Sequence, residues 1–246
     1  MMTAMMTMMM TTAMTTRTAD MMTNLLTNKE IKLRHELKYH ISHGEDMILA
    51  SRLRKIFSHD NNADSHGSYC VSSLYFDTPY DKAYFEKIEG LRDREKFRIR
   101  YYNENYDFIR LEKKIKTKGL CGKRSAALTR SQMEDIIDGR IEFMKFSANP
   151  LIVEFYAKLK GQQLKPRKMV IYDREAFIYP PGNVRITIDR NLRTVHGGVE
   201  IPMSEGLAVL EIKYDEFLPD IVKLAVSTSG RMSGSFSKYA AVRRLD

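Results

Sequence analysis

Residues 95–116 read EKFRIRYYNENYDFIRLEKKIK. Taken two at a time, Lys96, Arg98, Arg100 and Tyr102 share one face, and Phe97, Ile99 and Tyr101 share the other. After Asn103-Glu104-Asn105 the pattern resumes. Arg110, Glu112, Lys114 and Lys116 face one way, and Ile109, Leu111, Lys113 and Ile115 face the other. Alternation of this kind predicts strands, and the polar triplet between the two runs predicts a hairpin. Two neighbouring strands would then present Arg98, Arg100, Glu112 and Lys114 on one surface. For a single hairpin, a face in water is the ordinary explanation, because antiparallel sheets often wet one side. Cations crowded on adjacent strands repel one another unless counter-charges sit among them.

Working outward, the signature recurs. IKLRHELKYHI (31–41) puts Arg34, Glu36, Lys38 and His40 on one face. YCVSSLYFDT (69–78) reads as a strand ended by Pro79. Strands are also predicted over 168–177 with Arg174, over 184–189 with Arg185, Thr187 and Asp189 on one face, and over 207–214 with Glu211 and Lys213. A short strand is read at 123–128, after a basic loop at 117–122. Helices are signalled by capping boxes at Ser42/Glu45 and Thr129/Gln132, by Asn149-Pro150, and by Pro219. Shorter helices are read after Tyr80 and after Ser237.

The chain has 246 residues, 43% of them hydrophobic, and a formal net charge of +9. That length supports one large domain or two small ones with an ample core. The charge implies anionic partners, whether nucleic acid, phosphorylated metabolites, polyphosphate or an acidic membrane surface. Two cysteines, Cys70 and Cys121, show no zinc-site spacing and point to a reduced, cytoplasmic setting. No run of 18 apolar residues is present to span a membrane as a helix. Residues 1–28 hold ten of the 16 methionines and two charged residues, and read as a disordered Met/Thr-rich tail. Residues 29–246 read as one α+β domain rich in antiparallel strands.

The polar faces of at least six strands carry Arg34, Glu36, Lys38, Arg98, Arg100, Glu112, Lys114, Arg174, Arg185, Glu211 and Lys213. If the sheet closes into a barrel, those faces line a polar lumen and the helices pack outside. A lumen so rich in cations is costly to keep dry and empty, and a water-filled tunnel that takes up phosphates removes the cost.

Several stretches, in order, carry a resemblance: RHELKY (34–39), SSLYFDT (72–78), KFRIRYY (96–102), RLEKK (110–114), GKR (122–124), YDREAF (172–177), VRITIDRNL (184–192), LEIKY (210–214) and FSKY (236–239). As a set they resemble the VTC domain, the polyphosphate polymerase branch of the CYTH-like triphosphate tunnel enzymes. The resemblance implies an antiparallel eight-stranded β-barrel tunnel with helices outside. It implies phosphate binding and catalysis by Lys38, Arg98, Arg100, Lys114, Arg174 and Arg185, with Lys238 and with Lys123 or Arg124, between which parity does not choose. Arg34 and Lys213 share the predicted phosphate-binding faces. The resemblance further implies that Glu211 holds Mn²⁺ or Mg²⁺, with Glu36 beside it, and that Glu112 assists the metal or orients a lysine. Hydrolytic relatives open with Glu-x-Glu-x-Lys, whereas this chain has Arg34-x-Glu36-x-Lys38. Replacing the first carboxylate by a cation disfavours a second metal and the water it would activate.

The activity implied is synthesis of inorganic polyphosphate from ATP. The alternatives are a tripolyphosphatase or nucleoside triphosphatase, and a non-catalytic polyphosphate sensor. Water as acceptor needs a base, for which Glu36 is the candidate. No Ser-His-Asp set or P-loop competes for the chemistry. Nucleic acid is not an expected partner, because duplex does not enter a narrow tunnel. The family's eukaryotic members couple synthesis to membrane translocation, so a separately encoded membrane partner at the inner face is a further expectation.

Overall fold

The structure, a computed structural model, describes residues 31–64, 67–203, 206–227 and 233–244. The tail read at 1–28 lies outside the described residues.

The quoted stretch folds as a hairpin. β4 (Arg94–Tyr102) pairs with β5 (Asn105–Thr117), and Asn103 and Glu104 between them have φ of 48° and 54°. Two consecutive left-handed residues make the two-residue turn whose twist matches a hairpin. The Asn103 side chain accepts a hydrogen bond from the amide of Cys70 at 2.8 Å, which ties the turn to the next strand.

The other strands are β1 (His35–Ser42), β2 (Ser58–His59), β3 (Ser68–Asp77), β6 (Leu120–Leu128), β7 (Lys165–Tyr179), β8 (Val184–His196), β9 (Val199–Pro202) and β10 (Leu207–Tyr214). Eight of the ten strands follow the path β1-β10-β8-β7-β3-β4-β5-β6, while β2 pairs with β7 and β9 with β8. Every pairing is antiparallel. An isolated antiparallel bridge between Arg34 and Cys121 joins the two ends of the path. The expected barrel is therefore present, closed at one seam by a single bridge. Within the seam, the amide of Gly234 donates to the carbonyl of Lys38 at 2.8 Å, so the C-terminal segment runs along the free edge of β1.

The expected strands differ in detail. The basic loop at 117–122 is a tight turn at Lys118-Gly119, with φ of 48° and 85°, so β6 begins earlier. β7 and β8 run further than alternation predicted, and β9 supplies the partner for the extension of β8.

Most helices cover the outside. α1 (His43–Ile56) and α3 (Arg130–Ile137) start at the two predicted capping boxes. α4 (Pro150–Gly161) starts at Asn149, whose side chain accepts from the amide of Leu151. α2 (Lys82–Ile88), α5 (Asp220–Ala225) and α6 (Lys238–Arg243) are short. The apolar parity of β4 and β5, including Phe97, Ile99, Ile109 and Leu111, packs with Met133 and Ile136 of α3 and Leu151 and Phe155 of α4. Ile186, Ile188, Leu210 and Ile212 pack with Leu49 and Leu53 of α1 and Val222 of α5. Each fully buried side chain of this size contributes about 1.5–3 kcal/mol. Burying the apolar parity outward leaves the charged parity facing inward. A third cluster sits on that inward parity, where Tyr69, Val71, Tyr75, Val170 and Tyr172 pack with Tyr239 and Val242 of α6.

Candidate functional site

One wall of the lumen is set by β4. Arg98 donates to Glu112 through Nε (2.8 Å) and to the hydroxyl of Tyr75 through Nη1 (2.9 Å). Arg100, 6% exposed, donates to the hydroxyl of Ser73 at 2.9 Å and to that of Tyr172 at 3.0 Å. Glu112 is buried and also accepts from Lys123 at 2.6 Å. These partners fix each guanidinium fork before any ligand arrives.

The opposite wall is a charge cluster on β1 and β10. Lys38 lies 2.7 Å from Glu36 and 3.3 Å from Glu211. Lys114, reaching across from β5, meets Glu36 at 2.8 Å. Lys213 pairs with Glu211 and stands 3.7 Å from Glu36. A third group comes from β7, β8 and α6. Arg174 forks onto Asp189 at 2.6 and 2.9 Å, and Lys238 meets the same carboxylate at 2.5 Å while sitting 4.7 Å over the ring of Tyr172.

The cavity they enclose is lined by eleven cationic side chains and two carboxylates, Glu36 and Glu211. The cations are Lys38, Lys87, Arg94, Lys96, Arg98, Arg100, Lys114, Lys116, Arg174, Lys213 and Lys238. The imbalance shows in the titrating groups. Burial alone would raise the Glu36 carboxyl, but Lys114, and then Lys38 and Lys213, hold it far below the usual range against the pull of Glu211. Burial likewise opposes the charge on Glu211, and Lys213, Lys38, Lys114 and Arg174 overcome it. Among the described residues Lys96 forms no ion pair with a carboxylate, and Asp77 supports its charge only from a distance. Burial, reinforced by Lys114 and Arg94 and opposed by Tyr75, brings the ammonium down to about 8. Burial would raise the Tyr75 phenol, yet Arg98, Arg100 and Lys96 bring it down to about 7. The site thus carries more positive than negative charge, an imbalance that a polyanion would offset.

Nine of the residues singled out in the sequence meet at this cavity: Glu36, Lys38, Arg98, Arg100, Lys114, Arg174, Glu211, Lys213 and Lys238. Others do not. Arg34 sits at the closing bridge, 3.0 Å from Asp215, with its guanidinium donating to the carbonyls of Asn183 and Lys213. Arg185 donates to the hydroxyl of Tyr69 at 2.7 Å and pairs with Asp60, off the cavity. Its carboxylate partner comes from the loop after β2, which strand parity does not reveal. Of the pair left open, Lys123 points in toward Glu112, whereas Arg124 pairs with Glu154 of α4 on the outer face at 3.0 Å. Arg124 therefore stands away from the cavity. Glu112 is taken up by Arg98 and Lys123 and shares no salt-bridge partner with Glu36 or Glu211, an arrangement that suits orienting cations rather than holding a metal.

Sequence reasoning missed Lys87, Arg94, Lys96, Lys116, Tyr75 and Tyr172. Lys96 and Lys116 lay on the basic face of the quoted stretch, so period two already marked them. Lys87 comes from a helix and carried no such mark.

A family model described as the VTC domain matches residues 33–245. No curated protein matches the chain. Among solved structures, a candidate adenylate cyclase from Bacillus halodurans is 14% identical, covers 80% of this chain and 88% of its own, and has a TM-score of 0.48. The PH1012 protein of Pyrococcus horikoshii OT3 is 12% identical, with coverage of 83% and 96% and a TM-score of 0.47. The PH1819 protein of the same organism is 12% identical, with coverage of 86% and 100% and a TM-score of 0.46. The fold described above does not rest on these likenesses.

Proposed function

This chain belongs to the VTC domain family, and from that premise we propose that it makes inorganic polyphosphate from ATP by phosphoryl transfer inside the basic lumen. The observation that carries the proposal is the excess of cations at the cavity wall, eleven against Glu36 and Glu211 on the wall and Glu112 and Asp189 paired behind it. Phosphoryl transfer asks for positioning and charge neutralisation more than for covalent help from side chains. Arg98, Arg100 and Arg174 are forks of fixed direction suited to phosphate oxygens, and Lys38, Lys114 and Lys238 add point charges. In the transfer, the bond from the γ-phosphorus to the ADP oxygen breaks. A bond from that phosphorus to the terminal oxygen of the acceptor chain forms. The acceptor is already an anion, so no base is needed.

The family uses divalent metals, and Glu36 and Glu211 fit one. Both carboxylates are held ionised, both stand on Lys38 from adjacent strands, and carboxylate oxygens suit Mg²⁺ or Mn²⁺. Among the described residues no group of three or more His, Cys, Asp or Glu side chains is assembled for a metal, so phosphate oxygens would complete the coordination. A metal bound there supplies charge screening for the phosphates.

Hydrolysis is less well supported. Glu36, the candidate base for water, is pinned by Lys38 and Lys114 and held strongly acidic, which makes it a poor proton acceptor. Arg34 contributes no carboxylate where hydrolytic relatives have one. Among the described residues no helix is long and apolar enough to cross a membrane. The test is incubation of the purified protein with ATP and Mn²⁺ or Mg²⁺ and resolution of the products by length on a gel. A ladder of chains supports synthesis. Release of phosphate without chains replaces it by hydrolysis, and tight polyphosphate binding without turnover replaces both by a sensor.

A further inference from the structure

α6 is six residues long, too short to hold a fixed direction without tertiary ties. Yet it delivers Lys238, whose ammonium shares the Asp189 carboxylate with Arg174. The ties come from residues that do not line the cavity. Tyr239, 1% exposed, donates its hydroxyl to Asp77 at 2.7 Å. Asp77 ends β3 and is equally buried. Its carboxylate also accepts from the amides of Thr78 and Ala83 at 2.8 Å each and from that of Tyr84 at 3.1 Å.

Those amides open α2. Asp81, at the N-cap of α2, has φ of 54° and makes no side-chain cap bond. Asp77 therefore supplies the acceptor that a cap residue normally gives to free helical amides. The Asp81 carboxylate turns instead to Arg243, at 2.7 and 3.1 Å, at the far end of α6. One carboxylate thus caps α2 and anchors α6. With four donors on it, Asp77 is fully satisfied and has no competing partner to turn to. The Tyr239 ring carries the same register to the site. It stacks on Tyr75 with centroids 5.1 Å apart, and the Tyr75 hydroxyl accepts from Arg98.

We propose that Asp77 and Tyr239 are positioning residues for Lys238. Their hydrogen bond holds α6 so that the Lys238 ammonium stands with Arg174 on Asp189, over the ring of Tyr172. This rests on the reading that the cavity binds phosphates. Neither residue touches the substrate in this role.

Tyr239→Phe removes the hydroxyl and keeps the ring, so the stack on Tyr75 stays. The test measures binding of inorganic triphosphate, without metal, to the unmodified full chain, Tyr239→Phe, Lys238→Met and the double variant, with urea denaturation of each. Tyr239→Phe is expected to weaken binding about fivefold, the worth of one hydrogen bond, and Lys238→Met roughly tenfold, the worth of one bond to a charged group. If the hydroxyl acts through Lys238, the double variant binds within about twofold of Lys238→Met, because no ammonium is left to misplace. A double variant weakened roughly fiftyfold, the product of the two losses, overturns the positioning role. So does a Tyr239→Phe protein that binds as the unmodified one does while unfolding at lower urea, since the bond is then a structural tie alone. Asp77→Asn keeps one oxygen for the amides of Thr78 and Ala83 and is read in the same cycle, so the outcome does not hang on a single substitution. Unmodified protein that binds no triphosphate overturns the phosphate reading and the positioning role with it.

Discussion

The amide of Arg34 donates to the carbonyl of Cys121, and the amide of Cys121 donates back to the carbonyl of Arg34, each over 2.9 Å. This reciprocal pair turns the eight-strand path into a ring. Proline at position 34 has no amide hydrogen, so Arg34→Pro deletes one of the two bonds. Amide hydrogen exchange at Cys121 is then expected to speed up several-fold, in keeping with a net hydrogen-bond worth of about 1 kcal/mol. Unchanged exchange at Cys121 means that the seam is held by the C-terminal segment instead.

Glu211→Gln keeps the shape of the side chain and removes the charge proposed to hold the metal. Metal-dependent turnover of ATP is expected to fall by about 10²–10³, the usual cost of losing one charge-stabilising group. Metal-free polyphosphate affinity should hold or rise, because an anion leaves the lumen and Lys38 and Lys213 are freed. Normal turnover in this variant would move the metal site elsewhere.

Anion binding should weaken as pH rises through the interval from 7 to 8. Tyr75 sits near 7 and gains a negative charge on losing its proton, and Lys96 sits near 8 and loses a positive one. Both changes oppose an incoming anion. Sulfate is a suitable probe because its charge is constant across the interval. Tyr75→Phe should bind sulfate with a flatter profile that retains only the Lys96 step, moved below 8 because the Tyr75 charge that supports the ammonium is gone. A profile identical to that of the unmodified protein would show that Tyr75 does not titrate there.

Asp189 is buried between Arg174 and Lys238. Burial raises its carboxyl, but Arg174 and Lys238 overcome this and set it at about 2, below its ordinary 3.8. A carboxyl whose folded value is depressed stabilises the fold above its ordinary value and loses that contribution as pH falls toward the folded one. Stability should therefore drop between 3.8 and 2. Asp189→Asn strands two buried cations and should cost roughly 3–5 kcal/mol at neutral pH, with a shallower acid decline. Urea denaturation at neutral and acid pH measures both, and a neutral-pH loss under about 1 kcal/mol, typical of an exposed pair, would mean that solvent already screens this one.

The alternation in 95–116 determined by itself that β4 and β5 form a hairpin with Arg98 and Lys114 on one face and Ile99 and Leu111 on the other. That follows from the two-residue period of a strand, which needs no tertiary information. The capping boxes at Ser42 and Thr129 placed two helix starts for the same local reason. Eight site residues, Glu36, Lys38, Arg98, Arg100, Lys114, Arg174, Glu211 and Lys213, were legible because they share the inward parity of their strands, and Lys238 was marked only by the family resemblance. Tertiary structure alone decided the rest. Parity says which face a residue takes but not what stands opposite it, so only the fold could give Arg185 to Asp60 and Arg34 to Asp215. Turn length sets phase, so the Lys118-Gly119 turn, unseen in the sequence, decided that Lys123 faces in and Arg124 out. Lys87 and the 234–238 segment reached the cavity through long-range packing, which leaves no periodic trace in the chain.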